Sequence, residues 1–321
     1  MRAATRDRFG APDVISVDDV ERPDVPDDGV LVRVKAASLN RADWYELVGE
    51  PLIARPSMGL RAPKTPLLGT DFAGVVEAVG GGVTRLAPGD EVFGGKSGAL
   101  ADYLTVREAV VHKPGNISFE EAAALPVAGL TALQALRDHG DLKVGEQVII
   151  NGASGGVGTF AIQIAKAMGG EVTAVCSTRH AELARSLGAD RVIDSTKDDF
   201  TKSEVRGDLF VDIAGGRRWG DLKEVLDSRA RVVIVGGPTG SGFLGPLTSI
   251  LGIWIAAKPG DRSAKFFIAK FNRPDLETLA EMAGSGAVRP VIDRTYPLDE
   301  VVAAFEHQGK GHPRGKIVVT I

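Results

Sequence analysis

The chain has 321 residues, 44% of them apolar and 25% charged, with a formal net charge of −4 and a pI near 5.8. A length above the ~250–300 residues at which single cores stop growing predicts two domains, and the acidic balance argues against a phosphate-coating surface, so nucleic acid is not an expected partner. The one cysteine, Cys176, has no partner for an internal disulfide and cannot build a Cys-rich zinc site, which fits a reducing compartment.

The opening MRAATRDRFG has no apolar signal core, and the run FLGPLTSILGIWIAA (243–257) is too short and too broken by Gly and Pro to span a bilayer. A soluble, cytoplasmic protein is expected. Residues 1–118 read as strand-rich: VLVRVKAASL (30–39) and GVVEAVG (74–80) sit between turns such as PDVPDDG and LAPGDEV. From about 119 helices alternate with strands. The helices are predicted over 119–137, 157–168, 180–188 and 219–228. The strands are predicted over 147–151, 171–177, 191–194, 209–214, 231–237 and 265–270. Apolar runs separated in this way predict an α/β domain, a doubly wound parallel sheet covered on both faces. The tail reads as helix 274–283, a strand near 289–293, helix 299–307 and a last strand 316–321, and is expected to rejoin the first domain.

INGASGGVG (150–158) lies between the strand QVIIN and a helix whose apolar stripe is Val157, Phe160, Ala161, Ile164, Ala165 and Met168. Glycines at a strand-to-helix turn let the backbone bend sharply and approach a ligand, and the helix start favours an anionic pyrophosphate. In the GxGxxG register the series is Ala153, Gly155, Gly158, so the first glycine is alanine. The context still predicts a dinucleotide loop, with contacts from Gly152, Ser154, Gly155, Gly156 and Val157. At the end of the next strand the sequence reads AVCSTRHAE, without the carboxylate that holds a ribose 2′-hydroxyl in NAD sites. Ser177, Thr178 and Arg179 suit a 2′-phosphate instead, which predicts NADPH as cofactor.

Several further stretches keep a common order with this loop: AASLNRADWYELVG (36–49), PLLGTDFAGVVEAVG (66–80), GDEVFG (89–94) and EAAALPVAGLTALQAL (121–136). Together they resemble the medium-chain dehydrogenase/reductase superfamily, and within it the zinc-free quinone oxidoreductases of the reticulon-interacting-protein type. The resemblance implies a GroES-like, partly open β-barrel catalytic domain from 1–118 and 272–321, and a Rossmann domain over 119–271. It also implies a homodimer built through the sheet edge near 265–270. Zinc-dependent relatives carry Cys where this chain has Asn40 and His-Glu where it has Thr70-Asp71, and the scattered histidines show no ligand spacing. Metal-free chemistry is expected.

The resemblance places Asn40, Asp43 and Tyr45 beside the nicotinamide, as the catalytic candidates; Asn40 would also bond the carboxamide, and Tyr45 would stabilise or protonate an acceptor oxygen. It adds cofactor contacts at Thr131, Gly237, Phe267, His312, Arg314 and Gly315, while Ser195 replaces a tyrosine common in relatives. Without a metal to hold an alkoxide, the expected substrate is a small hydrophobic conjugated acceptor, a quinone or an electron-poor C=C or C=O, which spreads the charge itself. An enoyl-thioester reductase and a non-catalytic NADPH-binding sensor or structural protein are the alternatives. The run 243–257 is read as core, with a pocket floor or dimer surface as the other options.

Overall fold

The computed structural model describes residues 1–107, 109–236, 261–311 and 313–321. The expectations placed on Gly237, His312 and 243–257 lie outside them. The chain forms two compact units, Met1–Leu130 with Phe271–Ile321, and Thr131–Lys270. The described strands run in chain order as β1 (Arg2–Thr5), β2 (Ser16–Asp19), β3 (Val30–Leu39), β4 (Asp71–Val79), β5 (Glu91–Gly95), β6 (Tyr103–Val106) and β7 (Val110–His112). They continue as β8 (Gln147–Asn151), β9 (Glu171–Cys176), β10 (Arg191–Asp194), β11 (Gly207–Asp212), β12 (Leu226–Ile234), β13 (Ser263–Phe266), β14 (Ile292–Pro297) and β15 (Lys316–Thr320).

In the first unit β3 is the organising strand, buried along nearly its whole length. One edge pairs with β4. Its other edge is shared: Val30–Arg33 pair with β6 and Ala36–Leu39 with β15. Dividing one edge between two partners curls the seven-stranded sheet around a core that includes Val32, Leu39, Phe72, Leu100, Phe305 and Ile317. The C-terminal strand therefore completes the sheet begun by the N-terminal segment. Helix α1 (Arg41–Val48) starts directly after β3, and the single turn α2 (Arg55–Met58) follows it.

The helix predicted over 119–137 is broken. Helix α3 (Phe119–Ala124) stops at Leu125, and α4 (Pro126–Gln134) starts anew, because Pro126 has no N–H to donate and its ring excludes the preceding turn. α3 packs on β3 and β4. Residues 119–130 accordingly cluster with the first unit.

The second unit is a six-stranded, wholly parallel sheet in the order β10-β9-β8-β11-β12-β13. That order reverses direction next to β8, as in the doubly wound dinucleotide-binding folds, and puts the loop after β8 at the switch point. Helix α5 (Gly156–Ala167) follows β8 and α6 (Ala181–Ser186) follows β9. The helix predicted over 219–228 is only α7 (Trp219–Leu222) with a 3-10 turn. Residues 226–228 belong to β12, whose first residue Leu226 is buried in the core with Phe200, Phe210 and Ile234. β13 ends at Phe266, opposite Ile234, because β12 has no further residue to pair with. Two tail helices, α8 (Arg273–Gly284) and α9 (Val301–Gly309), flank β14, which runs later than the predicted 289–293 because it pairs with β15 from Ile292 onward.

Candidate active site

Sheet register brings four distant segments of the first unit together. Ser38 on β3 faces Asp71 at the start of β4, while Leu39 pairs with Ile317, which sets Asn40 beside Lys316. Ser38, Asn40, Asp43, Asp71 and Lys316 are all buried. Asp71 Oδ2 accepts from Ser38 Oγ at 3.2 Å, Asn40 Nδ2 at 2.9 Å and Lys316 Nζ at 3.3 Å. Its Oδ1 accepts the Val127 N–H at 3.0 Å. Val127 stands at the start of α4, one residue after Pro126 restarts the helix, and a helix start favours a negative charge there. Lys316 Nζ also donates to Asn40 Oδ1. The Asn40 amide, expected to serve the cofactor or acceptor, is thus largely committed to holding Asp71 and Lys316.

Asp43, in the first turn of α1, has one partner on each oxygen. Oδ2 accepts the Asn40 backbone N–H at 2.7 Å, and Oδ1 accepts from Thr70 Oγ at 2.9 Å. Burial, reinforced by the charge of Asp71, pushes the Asp43 carboxyl up from 3.8 to about 7, against the pull of Asn40, Thr70 and Lys316. Burial raises Asp71 as well, opposed chiefly by Lys316. Because the Asp43 value is higher folded than unfolded, its contribution is fully present below about pH 4 and lost as pH rises through about 7, a swing on the order of 4 kcal/mol. Asp43→Asn is therefore expected to flatten the fall in stability between about pH 5 and about pH 8, read from urea unfolding midpoints. Parallel pH profiles for variant and parent would contradict a proton on Asp43.

Tyr45 is half-buried, two residues on along α1 from Asp43. The Arg41 guanidinium lies 5.0 Å from its ring centroid, and its hydroxyl makes no hydrogen bond among the described residues. Arg6 is missed entirely by the sequence reading. Its side chain is buried 3.7 Å from Glu46, its charge acts on Asp43, and its guanidinium nitrogens make no hydrogen bond among the described residues.

In the second unit the glycines at the end of β8 divide by role. Gly152 has φ +88°, a left-handed conformation that costs other residues strain. A Cβ on Gly158 would stand 2.3 Å from the Gly152 carbonyl oxygen and 2.6 Å from the Ala153 carbonyl carbon, so this glycine permits close helix–turn packing. Gly155 differs. A Cβ there would meet only the Gly152 oxygen at 3.8 Å, so packing does not demand glycine and the space in front is open. Ala153, the departure from the glycine series, is fully buried. Gly155 is the N-cap of α5, and the Thr159 N–H donates to its carbonyl at 3.0 Å. The Gly156 and Val157 N–H groups therefore belong to the unsatisfied first turn, and with Ser154 this cradle fits a pyrophosphate.

At the far end of β9, Ser177 is half-buried with its Oγ 3.3 Å from His180 Nδ1, and Arg179 is exposed with no partner among the described residues. Thr178 is engaged: its hydroxyl donates to Asp194 Oδ2 at 2.5 Å and lies 2.7 Å from Thr196 Oγ. Those hydroxyls lower the Asp194 carboxyl to about 2. A carboxylate does stand beside this loop, then, but it comes from the third strand rather than the second. Of the remaining expected contacts, Thr131 lies in α4 and Phe267 follows β13, its ring stacked on His139 at 4.1 Å. Arg314 is exposed, whereas Gly315 (φ +92°) is buried, with the Val291 oxygen 2.2 Å from where a Cβ would be. Among the described residues no group of His, Cys, Asp and Glu has a metal-holding arrangement.

Residues 26–116 match the family model for the alcohol dehydrogenase GroES-like domain, and residues 187–319 match that for a zinc-binding dehydrogenase. The chain is 36% identical to the mitochondrial NAD(P)H oxidoreductase RTN4IP1 of Mus musculus, over 91% of this chain and 81% of that protein. It is 35% identical to the 2-methylene-furan-3-one reductase of Solanum lycopersicum, over 99% of this chain and 79% of that one. The crystal structure of Escherichia coli quinone oxidoreductase complexed with NADPH superposes with a TM-score of 0.83 at 25% identity, covering all of both chains. This chain belongs to the zinc-free quinone oxidoreductase family of the medium-chain dehydrogenases/reductases.

In this quinone oxidoreductase family member the positions that bear zinc ligands in other branches hold a closed polar network. The Asp71 oxygens already receive an ammonium, an amide, a hydroxyl and a backbone N–H. A cation placed there would have to displace Lys316. The GroES-like unit thus answers the burial of its carboxylates with a side chain from its own last strand. The sequence analysis gives Lys316 no role beyond opening the terminal strand 316–321; the available signal is a lysine at the buried start of an apolar strand.

Proposed function

We propose that the protein is an NADPH-dependent reductase that transfers hydride to quinones or other electron-poor conjugated acceptors without a metal. The observation that carries this reading is the internally paired network of Asn40, Asp71 and Lys316. It offers no open Lewis-acid position, so the acceptor itself must delocalise the charge it gains, as a quinone or enone does. When bound, NADPH supplies the hydride. The chain's own residues do the rest: the turn 152–157 binds the pyrophosphate, Ser177 and Arg179 hold the 2′-phosphate, and the free hydroxyl of Tyr45 orients and stabilises the acceptor oxygen. A homodimer through β13, the outermost strand of this sheet among the described residues, where Phe266 is exposed, and a reducing, cytoplasmic setting for the buried Cys176 belong to the same reading.

The test is NADPH oxidation against ortho- and para-quinones, enones, an enoyl thioester and simple alcohols. Quinones and enones are expected to turn over and alcohols to react poorly. Turnover confined to the thioester would move the assignment to enoyl reduction, and tight NADPH binding without any turnover would make the protein a cofactor-binding module. Direct titration is expected to give tighter binding of NADPH than of NADH by about tenfold or more, from one or two charge-assisted bonds of about 1.5–3 kcal/mol each. Arg179→Ala should remove most of that preference and leave NADH nearly unaffected. Asp194→Asn, which deletes the carboxylate beside Thr178, should widen it. Equal affinities for the two cofactors in the parent protein would refute the 2′-phosphate assignment.

A further inference from the structure

Among the described residues the buried network reaches partial exposure at Thr70. Ser38, Asn40, Asp43, Asp71 and Lys316 are 0%, 7%, 1%, 0% and 2% exposed, and Thr70 is its partly exposed member. Two cations, Lys316 from β15 and Arg6 from the segment after β1, face three carboxylates, Asp43 and Glu46 of α1 and Asp71 of β4. Arg6 pairs with Glu46, which is one-third exposed, and Lys316 with Asp71, so Asp43 is the buried carboxylate with no direct cation, and burial favours its taking up a proton.

Geometry decides where that proton sits. Asp71 is held by four donors, one of them an ammonium, whereas Asp43 has two and no direct ion pair. On Asp43, Oδ2 is occupied by a backbone N–H, which can only donate. Oδ1 faces the Thr70 hydroxyl at 2.9 Å, which can donate or accept. The acid proton therefore belongs on Oδ1, and Thr70 then accepts it while turning its own O–H outward.

Resting on the reductase reading above, the geometry points to a proton relay: Asp43 delivers a proton through the Thr70 hydroxyl to the oxyanion left when the acceptor has taken up hydride. The acceptor is reduced by two electrons as the dihydronicotinamide is oxidised, and its oxygen becomes an anion. The Asp43 Oδ1–H bond breaks as an O–H bond forms at Thr70 Oγ. The original Thr70 O–H bond breaks, and its proton ends on the acceptor oxygen. Asp43 is left as a carboxylate and is reprotonated from water through the same hydroxyl after product leaves.

Two readouts test the relay. In cofactor-free protein, infrared spectroscopy should show a protonated-carboxyl C=O band at about pH 6 that fades by about pH 9 and is absent in Asp43→Asn. In quinone reduction with NADPH, Thr70→Val should lower kcat by about a hundredfold, the low end for losing a general acid, with NADPH Kd moving less than about threefold. Thr70→Ser should restore the lost turnover. The parent's kcat should fall on the alkaline side with a limb that Asp43→Asn abolishes. Lack of the carboxyl band, or a Thr70→Val variant with the parent's kcat and pH profile, overturns the relay and leaves the reductase reading standing. Failure of the parent to reduce any quinone or enone overturns that reading and the relay together.

Discussion

Lys316→Met is expected to cost about 3–5 kcal/mol of stability near pH 8, the range for removing one partner of a buried ion pair. The ammonium is 2% exposed, lies 3.3 Å from a fully buried carboxylate and donates to Asn40 as well. Its loss strands Asp71 with no direct counter-ion and removes a charge that also favours ionised Asp43. The size of the loss is expected to depend on pH in a definite direction. With Lys316 gone, both carboxyls bind protons more readily in the folded state than in the unfolded chain, so the penalty shrinks as pH falls. Adding Asp71→Asn should recover much of the loss near pH 8, because the uncompensated charge is then gone. Urea unfolding of the parent, the single variant and the double variant measures all three quantities. A loss below about 1 kcal/mol, typical of surface pairs, would mean that the lysine does not neutralise a buried charge.

The second large effect is a contrast between two glycines three residues apart. Gly158→Ala puts a methyl 2.3 Å from the Gly152 oxygen and 2.6 Å from the Ala153 carbonyl carbon, both backbone atoms that cannot step aside. The turn must shift, at about 1–3 kcal/mol of stability for overpacking, and NADPH affinity should fall by about tenfold or more because the turn's N–H groups move with it. Gly155→Ala meets only an ordinary contact at 3.8 Å on a backbone with φ −79°. It should leave thermal stability unchanged while raising the NADPH Kd, since the methyl stands where the ligand approaches. Fluorescence titration and thermal denaturation of both variants separate the two roles. Unchanged NADPH binding in Gly155→Ala would remove this loop as the pyrophosphate cradle.

Much of the molecule was legible from local pattern. The strand 30–39, the strand–glycine–helix unit around 147–167 and the strand 191–194 each announce themselves through apolar periodicity and turn chemistry, which depend on neighbours in sequence. Ser177 and Arg179 stand just past the end of β9, as the local pattern places them, the position at which such folds read the adenosine ribose. Elements that depend on a ladder were less legible. β12 begins inside a stretch with helical pattern and β13 stops early, because a strand ends where its partner ends. Of the partners of the site residues, only Thr70 and Asp71 were legible, through the resemblance, and their hydrogen bonds were not. Asp43 is an ordinary first-turn acid in the sequence. Only the register of β3 with β4 and β15, joining positions up to 276 residues apart, surrounds it with Asp71, Thr70 and Lys316. Asp194 likewise reaches Thr178 across 16 residues through strand pairing. Sequence alone determined the strand 30–39, the strand–glycine–helix unit of 147–167 and the strand 191–194, because those follow from local backbone and burial preferences. Tertiary structure decided which carboxyl keeps its proton and which hydroxyl can pass it on, because desolvation and charge pairing act through space rather than along the chain.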